Sequence, residues 1–208
     1  MNIEKKVLAN PNKCYSLAPI TVGGQPCFLA AAEKHDPCYL FSWEGEYLET
    51  VWEGPGGVMT MQQLPGRDGA FLATHEFYSP NDSANARIVL AERGDSGWTV
   101  RTICDAPFVH RFGILSRGGV NYILVCCLKS GHEFKEDWRF PGAVYAAVLP
   151  DDLSGFSETN QLPLELLMDG MLENHGYSRY VDHGVETGIV GCCGGVYQFV
   201  PPESAGAK

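Results

Sequence analysis

Short apolar runs recur along the chain, each rich in small residues and each closed off by nearby glycine or proline. They are Cys27-Phe28-Leu29-Ala30-Ala31-Ala32-Glu33, Ala70-Phe71-Leu72-Ala73-Thr74-His75-Glu76, Tyr122-Ile123-Leu124-Val125-Cys126-Cys127-Leu128 and Gly188-Ile189-Val190-Gly191-Cys192-Cys193-Gly194. None is long enough for a globular helix, and apolar runs of this length between turn residues read as buried strands. The surrounding pattern repeats in the same order. A first unit has strands at 14–20, 27–33, 38–43 and 47–52, with a hairpin about Glu44-Gly45-Glu46. A second has strands at 57–63, 70–76, 86–92 and 98–104, and a third at 109–115, 121–128, 143–149 and 162–168. The last of these, Leu-Pro-Leu-Glu-Leu-Leu-Met, also suits a short helix; its place in the repeat decides for a strand. A fourth unit has strands at 175–181, 187–193 and 195–200 before Pro201-Pro202 stops it.

Three units therefore have four strands and the last has three. The strand left over lies at 4–9, where Lys6-Val7-Leu8-Ala9-Asn10-Pro11 matches the outer-strand ends Glu49-Thr50-Val51-Trp52-Glu53-Gly54-Pro55 and Arg101-Thr102-Ile103-Cys104-Asp105-Ala106-Pro107. The N-terminus is expected to supply the missing strand of the last unit, and this circular completion resembles the way β-propellers close and protect their edges. The expected fold is all-β: a propeller of four four-stranded antiparallel blades in one domain, 1–202. The blades fall at about 14–54, 57–106, 109–170 and 174–200 plus strand 4–9, with 203–208 a disordered tail. The resemblance is to β-propeller repeats in general and covers almost the whole chain. The Trp-Asp dipeptide of one common propeller class is absent. Gly194-Gly195-Val196-Tyr197-Gln198-Phe199 resembles the hairpins of repeat propellers attached to sugar lyases and sugar dehydratases. Several assemblies fit: a closed four-bladed monomer, a dimer of such rings, or a homodimer of two half-rings that makes eight blades. An open β-sandwich is the alternative fold.

Composition narrows the partners. With 208 residues the chain can bury one sizeable core. A formal charge of −10 with scattered basic residues argues against nucleic acid, which needs a basic patch. No apolar run approaches the length that spans a bilayer, so no membrane partner is expected. The start Met1-Asn2-Ile3-Glu4-Lys5-Lys6 leads into no secretory apolar region, which makes the cytoplasm the expected compartment. Eight cysteines include the adjacent pairs Cys126-Cys127 and Cys192-Cys193. Neighbours in a strand point to opposite faces, so these read as small buried thiols in a reducing compartment, and no CxxC spacing suggests zinc.

Candidate chemistry follows the histidines. In a propeller, the loops from second to third strand share one face with those from outer to next inner strand. His35 and His132 fall in the former, His75 ends its strand at such a loop, and His110 and His175 begin inner strands; only His183 lies on the opposite face. His75-Glu76-Phe77 and His132-Glu133-Phe134 are the same tripeptide in equivalent loops. Histidine and glutamate together can hold a divalent metal or share a proton, although neither tripeptide is the HExxH of a helical zinc site. The candidate metal ligands are His75, His110, His132, His175, Glu76 and Glu133, with His75, His132, His175 and Tyr177 as catalytic candidates. Arg111 and Arg179 on inner strands favour an anionic ligand in the channel, and Trp138 and Arg139 in the charged insertion 129–141 can stack on a sugar or clamp a carboxylate. The plain alternative for each is a loop residue making turn hydrogen bonds, or a packed lid. The functional expectation is a metal-assisted lyase, isomerase or hydrolase acting on a carbohydrate-like or other small polar or anionic substrate at the mouth. The alternative is a non-catalytic propeller that binds a protein or glycan through Trp138, Phe134 and Tyr78.

Overall fold

Fifteen strands and no helix make up residues 3–206, which the computed structural model describes. They form four antiparallel sheets arranged as a four-bladed β-propeller. The first blade is β1 (Cys14–Val22), β2 (Gln25–Ala32), β3 (Cys38–Ser42) and β4 (Tyr47–Trp52). The second is β5 (Met61–Gln63), β6 (Ala70–His75), β7 (Arg87–Gly94) and β8 (Gly97–Asp105). The third is β9 (Val109–Arg117), β10 (Val120–Lys129), β11 (Pro141–Leu149) and β12 (Glu165–Met171). The fourth has three strands, β13 (Gly176–Asp182), β14 (Val185–Cys192) and β15 (Gly195–Phe199). Within every sheet the neighbours in space are the neighbours in sequence.

The second strand of a blade is buried where blades lie on both sides. β6 is buried at every position and β10 from Tyr122 onward, whereas β14 is buried mainly on one side. Small residues such as Ala31, Ala32 and Ala73 let adjacent sheets approach. The inner strand turns into the second through two residues of positive φ in three blades: Gly23-Gly24, Gly118-Gly119 and His183-Gly184. Paired positive φ values match the right-handed twist of a hairpin.

Three hydrophobic clusters fill three seams. Leu29, Leu40, Met61 and Phe71 join the first blade to the second; Leu72, Leu90, Phe112 and Ile123 join the second to the third; Leu115, Leu124, Val144 and Val190 join the third to the fourth. Among the described residues no such cluster joins the fourth blade to the first. A cleft of about 430 Å³ lies there instead, with Ala18, Pro19 and Trp43 on one side and Arg179 on the other.

The expected N-terminal strand is the main correction. Residues 3–11 form no strand, and the fourth blade keeps three. The segment lies on the first blade: Leu8 touches the turn at Gly45, Leu8 to Pro11 line a hollow with Tyr39, Phe41 and Tyr47, and the Asn12 amide donates to Asp36. A nearby apolar surface captures the segment. The C-terminal end docks on the third blade, where Arg117 donates to the Pro201 carbonyl (2.8 Å) and pairs with Glu203 (3.0 Å). The remainder of the expected tail includes residues 207 and 208, which lie outside the described residues, as do residues 1 and 2 of the N-terminal stretch. All eight cysteines are free thiols; Cys27, Cys38, Cys104, Cys126 and Cys127 are buried, while Cys14 and Cys193 are exposed. Among the described residues no helix is long and apolar enough to cross a membrane.

Candidate functional site at the propeller mouth

A bulge aims His110. Arg111 pairs with Cys126 and Val109 with Cys127, so His110 is the extra residue on β9. A bulge of this kind re-aims a side chain and breaks the alternation of the strand. The imidazole is 3% exposed and lies among rings: His175 at 4.2 Å between centroids, Phe77 at 5.2 Å and Tyr15 at 6.3 Å. Among the described residues its Nδ1 has no hydrogen-bond partner. Burial, then the Arg111 charge and His175, push its pKa down to about 3, opposed by a bond to the His175 main chain. His175 is exposed, and partial burial followed by Arg111 lowers its pKa, with Glu173 opposing. Its position is set by the preceding residue. Asn174 is fully buried and donates from Nδ2 to the carbonyls of Cys127 (3.2 Å) and Ala143 (3.1 Å), which pins the start of the fourth blade to the third.

Arg111 spans three blades. From β9 it donates to the Met59 carbonyl ahead of β5 and to the Tyr15 hydroxyl on β1 (3.0 Å), with its guanidinium carbon 5.3 Å from the centre of the Tyr15 ring. The mouth thus carries one fixed positive charge, two imidazoles that are neutral at neutral pH and a phenol.

The other expected site residues go elsewhere. His75 is 3% exposed and packs on Trp52 at 4.7 Å, with burial first and then Arg87 lowering its pKa to about 4. Glu76 pairs with Arg87 at 2.8 Å. His132 is exposed beside Phe108, and Glu133 pairs with Arg139 at 2.6 Å. Arg139 also holds both oxygens of Asp137 at 2.8 Å. The Asp137 side chain is fully buried and accepts from the amides of Glu133 and Arg139, and Arg139 keeps its pKa well below the ordinary carboxylate range. The insertion is therefore knotted on its own ion pair. Trp138 packs under it with the buried Lys129 ammonium 4.6 Å from its ring centre, and Lys129 donates to Asn81 Oδ1 (2.8 Å). Tyr177 faces the third blade, its phenol against Gly113; the oxygen is buried with no hydrogen-bond partner among the described residues, and burial raises its pKa. Arg179 pairs with Glu186 and lines a cleft of about 520 Å³ toward the opposite end of the channel, with Gln62, Gln63 and Ser116.

Of the six expected metal ligands, only His110 and His175 meet. Among the described residues no three of His, Cys, Asp and Glu gather closely enough to hold a metal ion. One divalent ion shared by His75, His110, His132, His175, Glu76 and Glu133 does not fit this arrangement. Tyr15 and Asn174 were not singled out from the sequence. Tyr15 begins an inner strand as His110 does, and that equivalence was the available signal.

Comparison with known proteins gives fold relatives only. No protein-family model and no curated protein matches the sequence. Among solved structures, the chain is similar to the soluble aldose sugar dehydrogenase of Escherichia coli, at 13% identity and a TM-score of 0.55, over 91% of this chain and 60% of that one. It is also similar to the hydrazine synthase of Kuenenia stuttgartiensis, at 9% identity and a TM-score of 0.53, over 84% of this chain and 49% of that one. A glycoside hydrolase family 43 arabinoxylan arabinofuranohydrolase from Bacillus subtilis aligns at 13% identity with a TM-score of 0.46, over 84% of this chain and 41% of that one. The chain thus spans about 60% of the length of the sugar dehydrogenase. At these identities the likeness shows the propeller fold alone.

Proposed function

We propose that the chain is a ligand-binding propeller that takes a small anionic polar molecule at the mouth formed by Tyr15, His110, Arg111 and His175. The observation that carries this reading is the convergence of a guanidinium, a phenol and an imidazole pair from three blades on one place. Arg111, held by Met59 and Tyr15, offers a fixed positive charge and its remaining N–H donors to a carboxylate. The Tyr15 ring and the exposed His175 ring offer faces for a sugar-like body. A sugar acid is accordingly the first ligand class to try.

Binding is favoured over catalysis by the same groups. A general base works best with a pKa near the operating pH, and a buried imidazole held near 3 is a feeble acceptor at neutral pH. The glutamates that would serve as acids or ligands are engaged by Arg87 and Arg139. The metal-assisted lyase, isomerase or hydrolase is therefore the second reading.

Isothermal titration with glucuronate, glucose and a divalent series tests this. Glucuronate should bind and glucose more weakly. His175→Ala removes one exposed ring, and a lost neutral hydrogen bond should lower affinity by up to about tenfold. An unchanged circular dichroism spectrum checks the fold. Absence of binding at millimolar glucuronate, or binding that His175→Ala leaves untouched, would sink the proposal. A required divalent ion would favour the metal reading.

A further inference from the structure

We infer that the cleft between the fourth and first blades is a second small-molecule site, separate from the mouth, and that its ligand is a neutral hydroxylated ring, a sugar. In the half of the channel away from the mouth, three seams are tied by side chains that bond to a neighbouring main chain. Gln63 Oε1 accepts from the Thr21 amide (3.0 Å) and ties the second blade to the first. Gln62 accepts from the Ile114 amide (2.8 Å) and donates to the Ile114 carbonyl (3.2 Å), which ties the second to the third. Glu186 Oε2 accepts from the Ser116 amide (2.7 Å) and ties the fourth to the third. Between the fourth and first blades the cleft of about 430 Å³ takes the place of such a bond. Arg179 stands at its edge, and among the described residues the one hydrogen bond of its guanidinium runs from Nη2 to Glu186 Oε1, within the fourth blade. The cleft is continuous with the hollow of about 520 Å³, because Thr21, Gln62, Gln63 and Arg179 line both. Each volume falls within the roughly 300–1,000 Å³ of small-molecule pockets. The lining has the composition of such pockets, an apolar wall of Pro19, Ile20, Pro26, Met61 and Trp43 with a few polar groups.

Charge decides the ligand class. Glu186 cancels Arg179, Glu92 cancels Arg67, and Asp68 beside them accepts from the Gly24 amide (2.6 Å). A carboxylate entering here would meet Glu186 and Asp68 with each lining cation already paired. The mouth is the opposite case, since Arg111 is bonded to a carbonyl and a phenol and to no acid. A wholly apolar ligand would strip water from the remaining N–H groups of Arg179 and return no bond. A pair of neighbouring hydroxyls meets both demands, because each can donate and accept. They can bridge the guanidinium and the carboxylate, whose oxygens each keep room for a further donor. The C–H face of the same ring has Trp43 to lie on. Trp43 is 60% exposed, and its ring is held at 80° to Phe28 with 6.4 Å between centroids.

Titration of the whole chain with methyl glucoside, methyl galactoside and maltose, followed by tryptophan fluorescence and calorimetry, tests the site. At least one of these neutral sugars should bind and shift the emission of the exposed Trp43 to shorter wavelength. Trp43→Ala should weaken that binding by about 2- to 10-fold. Arg179→Ala should weaken it by about 10- to 100-fold. Arg179→Lys keeps a charge beside Glu186 and should still weaken binding, because an ammonium lacks the planar fork. All three variants should retain the native circular dichroism spectrum, and Arg179→Lys serves if Arg179→Ala does not. The two sites can fail separately: His175→Ala should leave the neutral-sugar titration unchanged, and Arg179→Lys should leave glucuronate binding at the mouth unchanged. No binding of any of the three sugars at tens of millimolar would overturn the inference. So would binding that Trp43→Ala and Arg179→Lys leave untouched, binding that His175→Ala abolishes, or Trp43-dependent binding of adenosine or glucuronate in place of the sugars.

Discussion

Gly113→Ala should loosen the fourth blade selectively. A β-carbon at Gly113 would stand 1.5 Å from Tyr177 Oη, 2.3 Å from Cζ and 2.9 Å from Cε1. Ordinary contact needs about 3.5–4.0 Å, so the ring has to move by about 2 Å or leave. The Tyr177 ring packs against the cluster that attaches the fourth blade to the third. Overpacking costs about 1–3 kcal/mol, and exposing the ring instead forfeits about 1.5–3 kcal/mol of burial. These alternatives bracket a loss of about 1–3 kcal/mol. Hydrogen exchange across 176–199 should accelerate by about 5- to 150-fold, since each 1.4 kcal/mol is tenfold. Trp43, Trp52, Trp98 and Trp138 all lie in the first three blades, so tryptophan fluorescence in urea should shift less than exchange in the fourth. A double-mutant cycle isolates the cause. In a Tyr177→Ala background the added methyl should cost under about 1 kcal/mol, because its obstacle is gone. Tyr177→Phe alone should be neutral or stabilising by about 1 kcal/mol, because it deletes a buried hydroxyl that has no partner. If Gly113→Ala proves neutral, or costs as much without the ring as with it, the packing argument fails.

Two further outcomes follow from buried groups. His75 titrates near 6.5 when unfolded and near 4 in the folded chain, so between these values the unfolded state binds more protons and stability falls with falling pH. The loss from pH 6.5 to 4 should reach about 3 kcal/mol at most, and urea titrations at both ends of that window should show it shrink in His75→Phe; an unaltered pH slope would count against a neutral buried imidazole. Asp137→Asn breaks the paired bonds to Arg139, and trypsin should then cut at Lys135 or Arg139 while β9 to β11 stay protected; unchanged resistance would mean that the insertion is ordered by something other than its ion pair.

What could be read from the chain depended on whether strand alternation survived. The four second strands were legible as short apolar runs, most clearly β6 and β10, which flanking blades bury on both sides, and Gly23-Gly24 and Gly118-Gly119 mark two of the hairpins. The parity of Phe71, Ala73 and His75 also placed His75 with core residues against Trp52, a signal weaker than the repeated tripeptide that drew attention to it. His110 was named, but its direction was not legible, since a bulge that depends on the pairing of β9 with β10 sets it. Arg111, Arg139 and Glu133 were legible as charges and not as pairs, because their partners Tyr15, Met59 and Asp137 are chosen by packing or by the local path of a loop. The segment at 4–9 has the pattern of an outer strand, yet Leu8 finds the Gly45 turn nearby, and Pro11 and Asp36 hold the chain there.

Because every sheet is a meander in which sequence neighbours are the hydrogen-bonded neighbours, the molecule has a definite mechanical character. Tension applied between the termini meets no pair of strands that it must slide past each other. From the C-terminal end it first strains the Arg117 clasp on Pro201 and Glu203, and then peels β15 from β14 one ladder bond at a time. Unzipping of this kind yields at lower force than shear, because only the bond at the fork carries the load. In an optical trap the chain should lengthen in successive steps beginning with the fourth blade, and the second blade should hold longest because the seams on both its sides are filled.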